Sequence, residues 1–327
     1  MDVYLITDAG IESRTAEELT GLLADKLGVV WVDVPNWDDE AAEVLTDVFK
    51  FHELAIRDAR ARTRVAKVHA YSDHYLVVLH SPEMGDSGHV HYLELDQFVG
   101  PGYLVTVHGP INPVVDPRTA LRETEAVRRR IETGRLRIRT SADLSYALVS
   151  TLCRHMEQSV EDLTAEVWRL EQQVTSGHLG DPEQFLEELF RARHGLLAVK
   201  TMAALSKEIY GRLSGLARVV PPSVRPLMDD AVDQFERIQS LADAQKDYHQ
   251  GVIDFYRSRS DTKMTIAAER LAVIAVVTLP ITAVASIVGM NVIVNDATRW
   301  VELLVLLVIM SAMSGVLLAW AKRQGWW

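Results

Sequence analysis

The hydrophobic and polar positions divide the chain into an alternating N-terminal part, a long helical part and two apolar stretches near the C-terminus. The first apolar stretch covers 271–294 and contains no charged side chain. A helix of this length rises about 36 Å, which exceeds the roughly 30 Å hydrocarbon core of a bilayer. The second stretch, 303–321, is also uncharged and just long enough to span. Because the connection between them is too short to fold alone, we predict a hairpin of two transmembrane helices.

Basic residues flank the predicted hairpin on one side. Those before the first span and after the second are Arg257, Arg259, Lys263, Arg270, Lys322 and Arg323. The connection contains Arg299 beside Asp296 and Glu302. From the positive-inside rule we expect both termini in the cytoplasm and the connection outside. The chain is therefore predicted to be a multi-pass protein of the cell (inner) membrane.

Before residue 116, short strand patterns alternate with helix patterns. Strands are predicted at 3–7, 29–34, 65–71, 75–80, 90–95 and 103–108, and helices at 15–27, 38–51 and 53–61. Turn signals separate them, among them the segment 82–88. This interleaving predicts an α+β cytoplasmic domain that contains a mixed sheet with flanking helices.

From residue 116 onward the pattern is helical. Helices are predicted at 119–133, 141–177 and about 182–213, the last with Asp181 as its cap and Pro182 at its first position. After the prolines at 221, 222 and 226, nothing interrupts the helical spacing until Gly289. One helix would then contain roughly 65 residues and measure about 100 Å. A lone helix of that length needs partners along it, so we predict a helical bundle in an oligomer.

The predicted domain order follows from these patterns. It comprises an α/β domain (1–115), a helical region (116–222), a stalk helix (223–270), the first transmembrane helix (271–294), an external loop (295–302), the second transmembrane helix (303–321) and a basic cytoplasmic tail (322–327). The start of the chain lacks the basic and apolar regions of a signal peptide, so we do not expect one.

The overall charge narrows the choice of partners. The chain has 34 basic and 45 acidic residues and a net charge of −11, which argues against nucleic-acid binding and suits a protein that attracts cations. Acidic surfaces also keep soluble domains apart, and charge alone favours that simpler interpretation. Cys153 is the single cysteine, so no internal disulfide forms, which suits a reducing compartment.

One stripe along the long helix is polar or small rather than apolar. Steps of three or four residues give Asp254, Ser258, Asp261, Thr265, Ala268, Leu271 or Ala272, Ala275, Thr278 or Leu279, and Thr282. A lipid-facing stripe would consist of large apolar residues, whereas small and polar residues are typical of a close helix contact or a water-filled pore. The spacing alone favours tight packing over a pore.

The first span ends in Gly289-Met290-Asn291, preceded by Leu279-Pro280-Ile281-Thr282 and followed by a brief loop and a second span. In this position the tripeptide resembles the hallmark of the CorA family of magnesium channels and transporters. Two segments of the soluble part agree. The segment 51–58, FHELAIRD, is similar to the family's hPLaiED segment, and 103–108, YLVTVH, is similar to its ylvTvh strand.

The resemblance implies a homopentamer in which five long helices line one pore below a funnel-shaped cytoplasmic assembly. The implied cargo is hydrated Mg²⁺. Gly289, Met290 and Asn291 would form the selectivity filter, because a ring of amide oxygens can hydrogen-bond the waters of Mg²⁺ without stripping them. The polar stripe would become the pore lining, with Leu271 and Ala268 at an apolar constriction near the cytoplasmic mouth.

The resemblance also implies regulation by cytosolic Mg²⁺, which would bridge carboxylates of neighbouring subunits and hold the channel shut. Asp58 corresponds to the aspartate of the family's ED pair, and Arg57 replaces its glutamate, so a site that uses this glutamate would be lost or altered. Counting back from Gly289 without gaps places the stalk carboxylate at Asp230, with Asp229 beside it. An ordinary solvated or capping aspartate is the alternative for Asp58.

The external loop departs from the family pattern. It lacks the Met-Pro-Glu that commonly follows the tripeptide, and Asn295, Asp296 and Glu302 are the groups left to attract cations at the outer mouth. We therefore expect weaker electrostatic capture there.

Three other functions compete with magnesium transport. The same architecture could carry Zn²⁺, Co²⁺ or Ni²⁺, and His89 and His91 would share one face of a strand, as a zinc pair requires. No further ligand spacing supports zinc, so surface histidines are the simpler interpretation. A membrane-anchored sensor without conduction needs neither the stripe nor the tripeptide. The sequence contains no phosphate loop, dinucleotide fingerprint or G-x-S-x-G turn, so we do not expect an enzyme.

Overall fold

The structure is a computed structural model that describes residues 1–63, 65–85, 88–110, 112–177, 181–216, 220–289 and 300–323. The chain divides into two compact units, Met1–Val252 and Ile253–Trp327.

The described part of the first unit contains a seven-stranded sheet. Its strands are β1 (Asp2–Thr7), β2 (Gly10–Arg14), β3 (Val29–Val34), β4 (Lys67–Ala70), β5 (Tyr75–Met84), β6 (Val90–Gly100) and β7 (Tyr103–His108). They lie in the order β2-β1-β3-β7-β6-β5-β4. Strands β3 and β7 run parallel and the other described pairs run antiparallel, so the predicted mixed sheet is confirmed.

One face of the sheet, the first face, carries a cluster of buried apolar residues. Alternate strand residues point to it, as the two-residue period of a strand requires: Val30, Val32, Val34, Leu76, Val78, Phe98, Val105 and Val107. The short helices α2 (Asp39–Glu43) and α3 (Glu53–Arg60) cover this face through small residues such as Ala41 and Ala55. Asp38 caps α2, because its Oδ1 accepts a hydrogen bond from the Ala41 amide at 2.7 Å.

The opposite face, the second face, packs against helices α5 (Arg122–Glu132), α6 (Ser141–Ser176) and α7 (Pro182–Ser214). Buried polar side chains join the two layers. Ser145 Oγ of α6 donates to Gln97 Oε1 at 2.6 Å, and Ser81 Oγ of β5 donates to Glu123 Oε1 at 2.9 Å. These directional hydrogen bonds orient the helices on the sheet and add to the apolar contacts between the two layers.

The long helices of the first unit have well-defined ends and side-chain ties. Thr140 forms a capping box at the start of α6, and Asp181 caps α7 ahead of Pro182, as predicted. Helix α8 (Arg225–Gly289) begins in this unit. Its Asp243 Oδ1 lies 2.6 Å from Lys200 Nζ of α7, and its Arg237 Nη2 lies 2.9 Å from an α6 carboxylate, so ion pairs tie α8 to both neighbours.

The second unit contains the remainder of α8 and helix α9 (Trp300–Arg323). The predicted unbroken helix is confirmed: α8 has 65 residues and continues through Pro280. By length and composition, α8 and α9 each contain a segment able to cross a membrane.

Several predicted boundaries in the first unit were wrong. Residues 10–14 form β2, and the predicted helix at 15–27 is reduced to a 3₁₀ turn (Ala16–Glu18) and α1 (Leu19–Asp25). The predicted helix at 38–51 is α-helical only to Glu43, and Val44–Val48 continues it as a π turn. The predicted helix at 119–133 divides into α4 (Pro117–Ala120) and α5.

Strands β5 and β6 are longer than predicted. Pro82 was expected in a turn but lies in β5 opposite Tyr92 of β6. Strand β4 pairs with residues 75–78 of β5, so Pro82 lies beyond that described pairing, where its missing N–H costs no bond to β4. Strand β6 continues past residue 95 to Gly100 although Asp96 and Gln97 are polar, because both are enclosed within the sheet layers.

Candidate functional site

Gly289, the first residue of the predicted filter, is the last residue of α8 and is exposed. A Cβ atom built on Gly289 meets no described atom within 4 Å, so packing against the described residues does not explain this glycine. Met290, Asn291, Asn295 and Asp296 lie outside the described residues, as does the side chain of Glu302. The filter and the outer mouth therefore stay predictions.

The predicted pore-lining stripe of α8 is exposed along nearly its full length. The exposed members are Asp254, Ser258, Asp261, Thr265, Ala268, Leu271, Thr278, Leu279 and Thr282, and Ala275 is half-buried. Leu271 and Leu279 are 66% and 67% exposed. Apolar exposure on this scale marks a surface that meets lipid or another protein surface.

Three threonines of the stripe share one hydrogen-bond arrangement. Thr265 Oγ1 donates to the Asp261 carbonyl at 3.0 Å, and Thr278 Oγ1 donates to the Ile274 carbonyl at 2.8 Å. Thr282 Oγ1 donates to the Thr278 carbonyl, also at 2.8 Å. Each hydroxyl uses its one proton within its own helix and keeps its oxygen lone pairs available. The stripe thus offers acceptors, which suit the waters around a cation.

Asp58 lies on α3 and is neither a capping nor a freely solvated residue. His52 caps the helix, since its Nδ1 accepts from the Leu54 amide at 3.1 Å. Asp58 Oδ2 lies 2.8 Å from Lys67 Nζ and 3.6 Å from His69 Nε2, both on β4. With 23% of its side chain exposed, Asp58 forms a partly screened ion pair that a competing cation can reach from solvent.

Asp230 and Asp229, near the start of α8, contact different helices. The Tyr146 hydroxyl of α6 and, at 2.5 Å, Gln234 Nε2 both donate to Asp230 Oδ2. These hydrogen bonds hold the pKa of Asp230 below its usual value, so its carboxylate is charged at neutral pH. Ser214 Oγ at the end of α7 donates to Asp229 Oδ1 at 2.7 Å.

Within the described residues, no group of three or more His, Cys, Asp or Glu side chains converges to hold a metal ion. The predicted regulatory carboxylates also have separate contacts, Asp58 with β4 and Asp230 with α6. Mg²⁺ is usually held by one or two carboxylates and several waters. The regulatory role of these aspartates therefore stays a prediction.

The predicted placement of both histidines on one strand was wrong, because β6 begins at Val90 and His89 precedes it. The two rings still lie together, with centroids 4.7 Å apart in an edge-to-face contact. Asn112 Nδ2 lies 3.1 Å from His91 Nδ1, and this hydrogen bond occupies that ring nitrogen. Because no third ligand joins them in the parts of the chain that the structure describes, the pair does not make a zinc site there.

Two buried acids on β6 were not predicted. Glu94 and Asp96 are 6% and 0% exposed, and they share the first face with Phe98. Glu94 Oε2 accepts from the Thr63 amide at 2.7 Å, whereas Glu94 Oε1 and both Asp96 oxygens have no hydrogen-bond partner among the described residues. Burial raises the pKa of Glu94 to about 7 and the pKa of Asp96 well above its usual value, and the charge of Lys67 opposes both shifts. Strand alternation was the available signal, since positions 94, 96 and 98 share a face.

Comparison with known proteins finds relatives over most of the chain. The family model described as CorA-like Mg²⁺ transporter protein matches residues 26–323. YfjQ of Bacillus subtilis is 22% identical over 310 residues, which cover 90% of this chain and 89% of that protein. The cobalt/magnesium transport protein CorA of Thermotoga maritima is 24% identical over 308 residues, 89% of this chain and 83% of that protein.

The fold is similar to a solved structure over its whole length. The complete structure of the CorA magnesium transporter from Methanocaldococcus jannaschii matches with a TM-score of 0.81 and 14% identity, covering 100% of this chain and 99% of that chain. At this identity the likeness concerns the fold alone. Because the family model spans nearly the whole sequence, the chain belongs to the CorA-like Mg²⁺ transporter family.

Proposed function

We propose that this chain is one subunit of a homopentameric channel that carries hydrated Mg²⁺ across the cell (inner) membrane. Membership of the CorA-like family supports divalent cation transport, and the Thermotoga maritima relative is named for cobalt and magnesium. The observation that carries the proposal is the exposed stripe of α8, where threonine hydroxyls keep their lone pairs available along the route to Gly289.

One stripe cannot enclose a passage, so symmetric copies are required. In a closed ring each copy contributes the same stripe to the axis. Thr265, Thr278 and Thr282 keep the passage hydrated through their hydroxyl oxygens. Leu271 and Ala268 interrupt these polar positions, and a narrow apolar ring of this kind closes a pore by losing its water.

Selectivity in this proposal comes from a ring of Asn291 amides. Mg²⁺ loses its waters reluctantly, so a filter that hydrogen-bonds those waters passes the ion without the cost of dehydration. A carboxylate ring would hold the ion more strongly and slow its release. Outside the filter, Asn295, Asp296 and Glu302 attract cations weakly toward the mouth.

Internal Mg²⁺ closes the channel by bridging Asp58 of one copy and Asp230 of the next, with Asp229 beside it. The bridged carboxylates attract the same ion and clamp the two copies, and without the ion they repel each other. Arg57 adds a positive charge next to Asp58 where the family carries a glutamate, so we expect this site to bind Mg²⁺ more weakly than one with that extra ligand.

Ion flux in liposomes tests the proposal. The full-length protein should pass Mg²⁺ down its gradient, read by a dye inside the vesicle, and its mass in detergent should correspond to five copies. Flux measured with Mg²⁺, Co²⁺, Ni²⁺ and Zn²⁺ in parallel identifies the cargo. No flux of any ion, with Asn291→Ala indistinguishable from the wild type, would instead support a membrane-anchored sensor without conduction.

A further inference from the structure

One lysine interacts with three acidic side chains on the first face. Lys67 Nζ lies 2.8 Å from Asp58 Oδ2, and the Lys67 charge also lowers the pKa of the buried Glu94 and Asp96. Asp58 raises the pKa of the same two acids by repulsion. The ammonium is therefore bonded to the carboxylate on α3, and its charge favours the ionised forms of the two buried acids.

The register of the sheet brings Lys67 within reach of the buried acids. Lys67 pairs with Val78 of β5, and Val78 pairs with Asp96 of β6, so the three side chains form one row across the strands. Val78 belongs to the core cluster that includes α3 residues, which puts the row on the first face. Two strand spacings separate the Lys67 and Asp96 backbones by roughly 10 Å. The four-carbon stem of lysine and the aspartate side chain together can bridge such a gap.

Asp96 lacks the partners that a buried acid ordinarily has. It is 0% exposed, and neither of its oxygens has a hydrogen-bond partner in the described ranges of the chain. Glu94, two residues away on the same face, has one oxygen in the same condition. A buried polar group without a hydrogen-bond partner destabilises the folded protein. A second state in which the group gains a partner is therefore favoured.

We propose that Lys67 is an internal counter-ion that competes with the regulatory cation for Asp58 and moves to Asp96 and Glu94 when the cation binds. The inference rests on the proposed regulatory role of Asp58. In the cation-free chain Lys67 neutralises Asp58 and opposes Mg²⁺ binding. When Mg²⁺ takes Asp58, one of the two buried carboxyl groups loses its proton to solvent, and the carboxylate that results pairs with the displaced ammonium. The buried pair thus lowers the cost of displacing Lys67.

Protection of the full-length protein from a protease by Mg²⁺ tests the competition. Lys67→Met should lower the Mg²⁺ concentration for half-maximal protection by about fivefold, the size expected when a partly exposed ion pair no longer competes. Lys200→Met is the matched control, because the side chains of Lys67 and Lys200 are both 28% exposed and Lys200 Nζ lies 2.6 Å from an aspartate oxygen of another helix. The control should leave the midpoint unchanged.

Asp58→Ala separates this inference from the regulatory proposal. If Asp58→Ala shifts the midpoint while Lys67→Met behaves like Lys200→Met, the competing role of Lys67 is overturned and regulation through Asp58 stands. If Asp58→Ala keeps the wild-type midpoint, regulation through Asp58 fails and the role of Lys67 fails with it.

Asp96→Asn tests the receiving site in two backgrounds. It should raise the Mg²⁺ midpoint when Lys67 is present and have no effect in the Lys67→Met background, where no ammonium needs a partner. Equal effects in the two backgrounds overturn the receiving role. Glu94→Gln provides the same comparison if Asp96→Asn does not fold, because its amide oxygen can still accept from the Thr63 amide.

Discussion

His108 Nε2 lies 3.0 Å from Asp33 Oδ1, and the two side chains form a buried ion pair between β7 and β3. Thr106 Oγ1 donates to the same Asp33 oxygen at 2.5 Å and accepts from Trp31 Nε1 at 3.0 Å. The parallel junction of the sheet therefore contains a continuous polar network. Thr106 and His108 belong to the strand segment that resembles the family pattern, and the network gives them a structural role.

We predict that the stability gained from His108 depends on pH. Burial alone would lower the pKa of His108, but the neighbouring Asp33 carboxylate and the charge of Glu123 raise it above its usual value. A histidine with a raised folded-state pKa stabilises fully below the unfolded value near 6.5 and loses that contribution as pH rises through its folded pKa. His108→Gln should cost about 1.5–3 kcal/mol at pH 6 and less at pH 9. Thermal unfolding of the wild type and His108→Gln from pH 6 to pH 9 checks this prediction. A stability difference between the two proteins that does not change with pH contradicts it.

Asn291→Asp should increase ion affinity at the filter and reduce throughput. A full negative charge holds the cation more strongly than an amide oxygen, and release about tenfold slower corresponds to about 1.4 kcal/mol of added stabilisation. Mg²⁺ flux in liposomes and its concentration dependence measure both effects. Asn295→Asp, which adds the same charge in the external loop, should improve capture instead. Unchanged flux and selectivity in Asn291→Asp would count against the ring.

Leu271→Asp should produce a leak. A charged side chain keeps water in the apolar constriction, so the pore no longer closes by dewetting. Val277→Asp is the control for the insertion cost of a charge, because Val277 is half-buried and lies on the side of the helix away from the stripe. Mg²⁺ flux measured at high internal Mg²⁺ distinguishes Leu271→Asp from the control variant. A Leu271→Asp channel as tight as the wild type would place the gate elsewhere.

Asp58→Ala and Asp230→Ala should each weaken closure by internal Mg²⁺, because each removes one side of the proposed bridge. Losing one carboxylate from a site of two should weaken Mg²⁺ binding by about tenfold or more. Asp233→Ala, an exposed aspartate on the same helix as Asp230, is the control. Protection from protease as a function of Mg²⁺ concentration gives the result, and midpoints equal to that of the control would remove the regulatory proposal.

Phe235→Ala should destabilise the first unit strongly. Phe235 of α8 is 0% exposed and contacts Tyr210 of α7 with ring centroids 5.8 Å apart. Truncating a buried phenylalanine leaves a cavity and costs about 3–5 kcal/mol. Phe190→Ala removes a ring that is 59% exposed on α7 and should change stability little. Equal thermal unfolding midpoints for the two variants would contradict this account of the α7–α8 packing.

The elements with strong local signals were predictable from sequence. Helix α8 has uninterrupted three-four spacing over its full length, and the start of α7 is marked by Asp181 and Pro182. Strand β3, a run of six buried residues, was predicted with its observed bounds. These signals are carried by residues next to each other in the chain, so no tertiary information was needed.

The partners of the site residues were not predictable, because they come from other elements. Asp58 carries the motif resemblance, but its ion pair with Lys67 depends on how α3 lies over β4. Asp230 is bonded to Tyr146, 84 positions earlier in the chain. The extension of β6 through Asp96 was missed for the opposite reason, since local polarity suggested an end and burial overrode it.

The parallel junction between β3 and β7 has a consequence for how the sheet assembles. Strands β4 to β7 are each paired with their neighbour in sequence, whereas the Thr106–Asp33 contact joins positions 73 apart. Contacts between residues far apart in the chain have a larger entropic cost of loop closure, and this cost slows folding. During synthesis on a ribosome, β3 would emerge well before β7, and the edge of β3 that pairs with β7 would stay unpaired in the meantime. Substitutions that weaken the parallel junction between β3 and β7 should therefore raise aggregation during synthesis more than they lower the stability of the folded sheet.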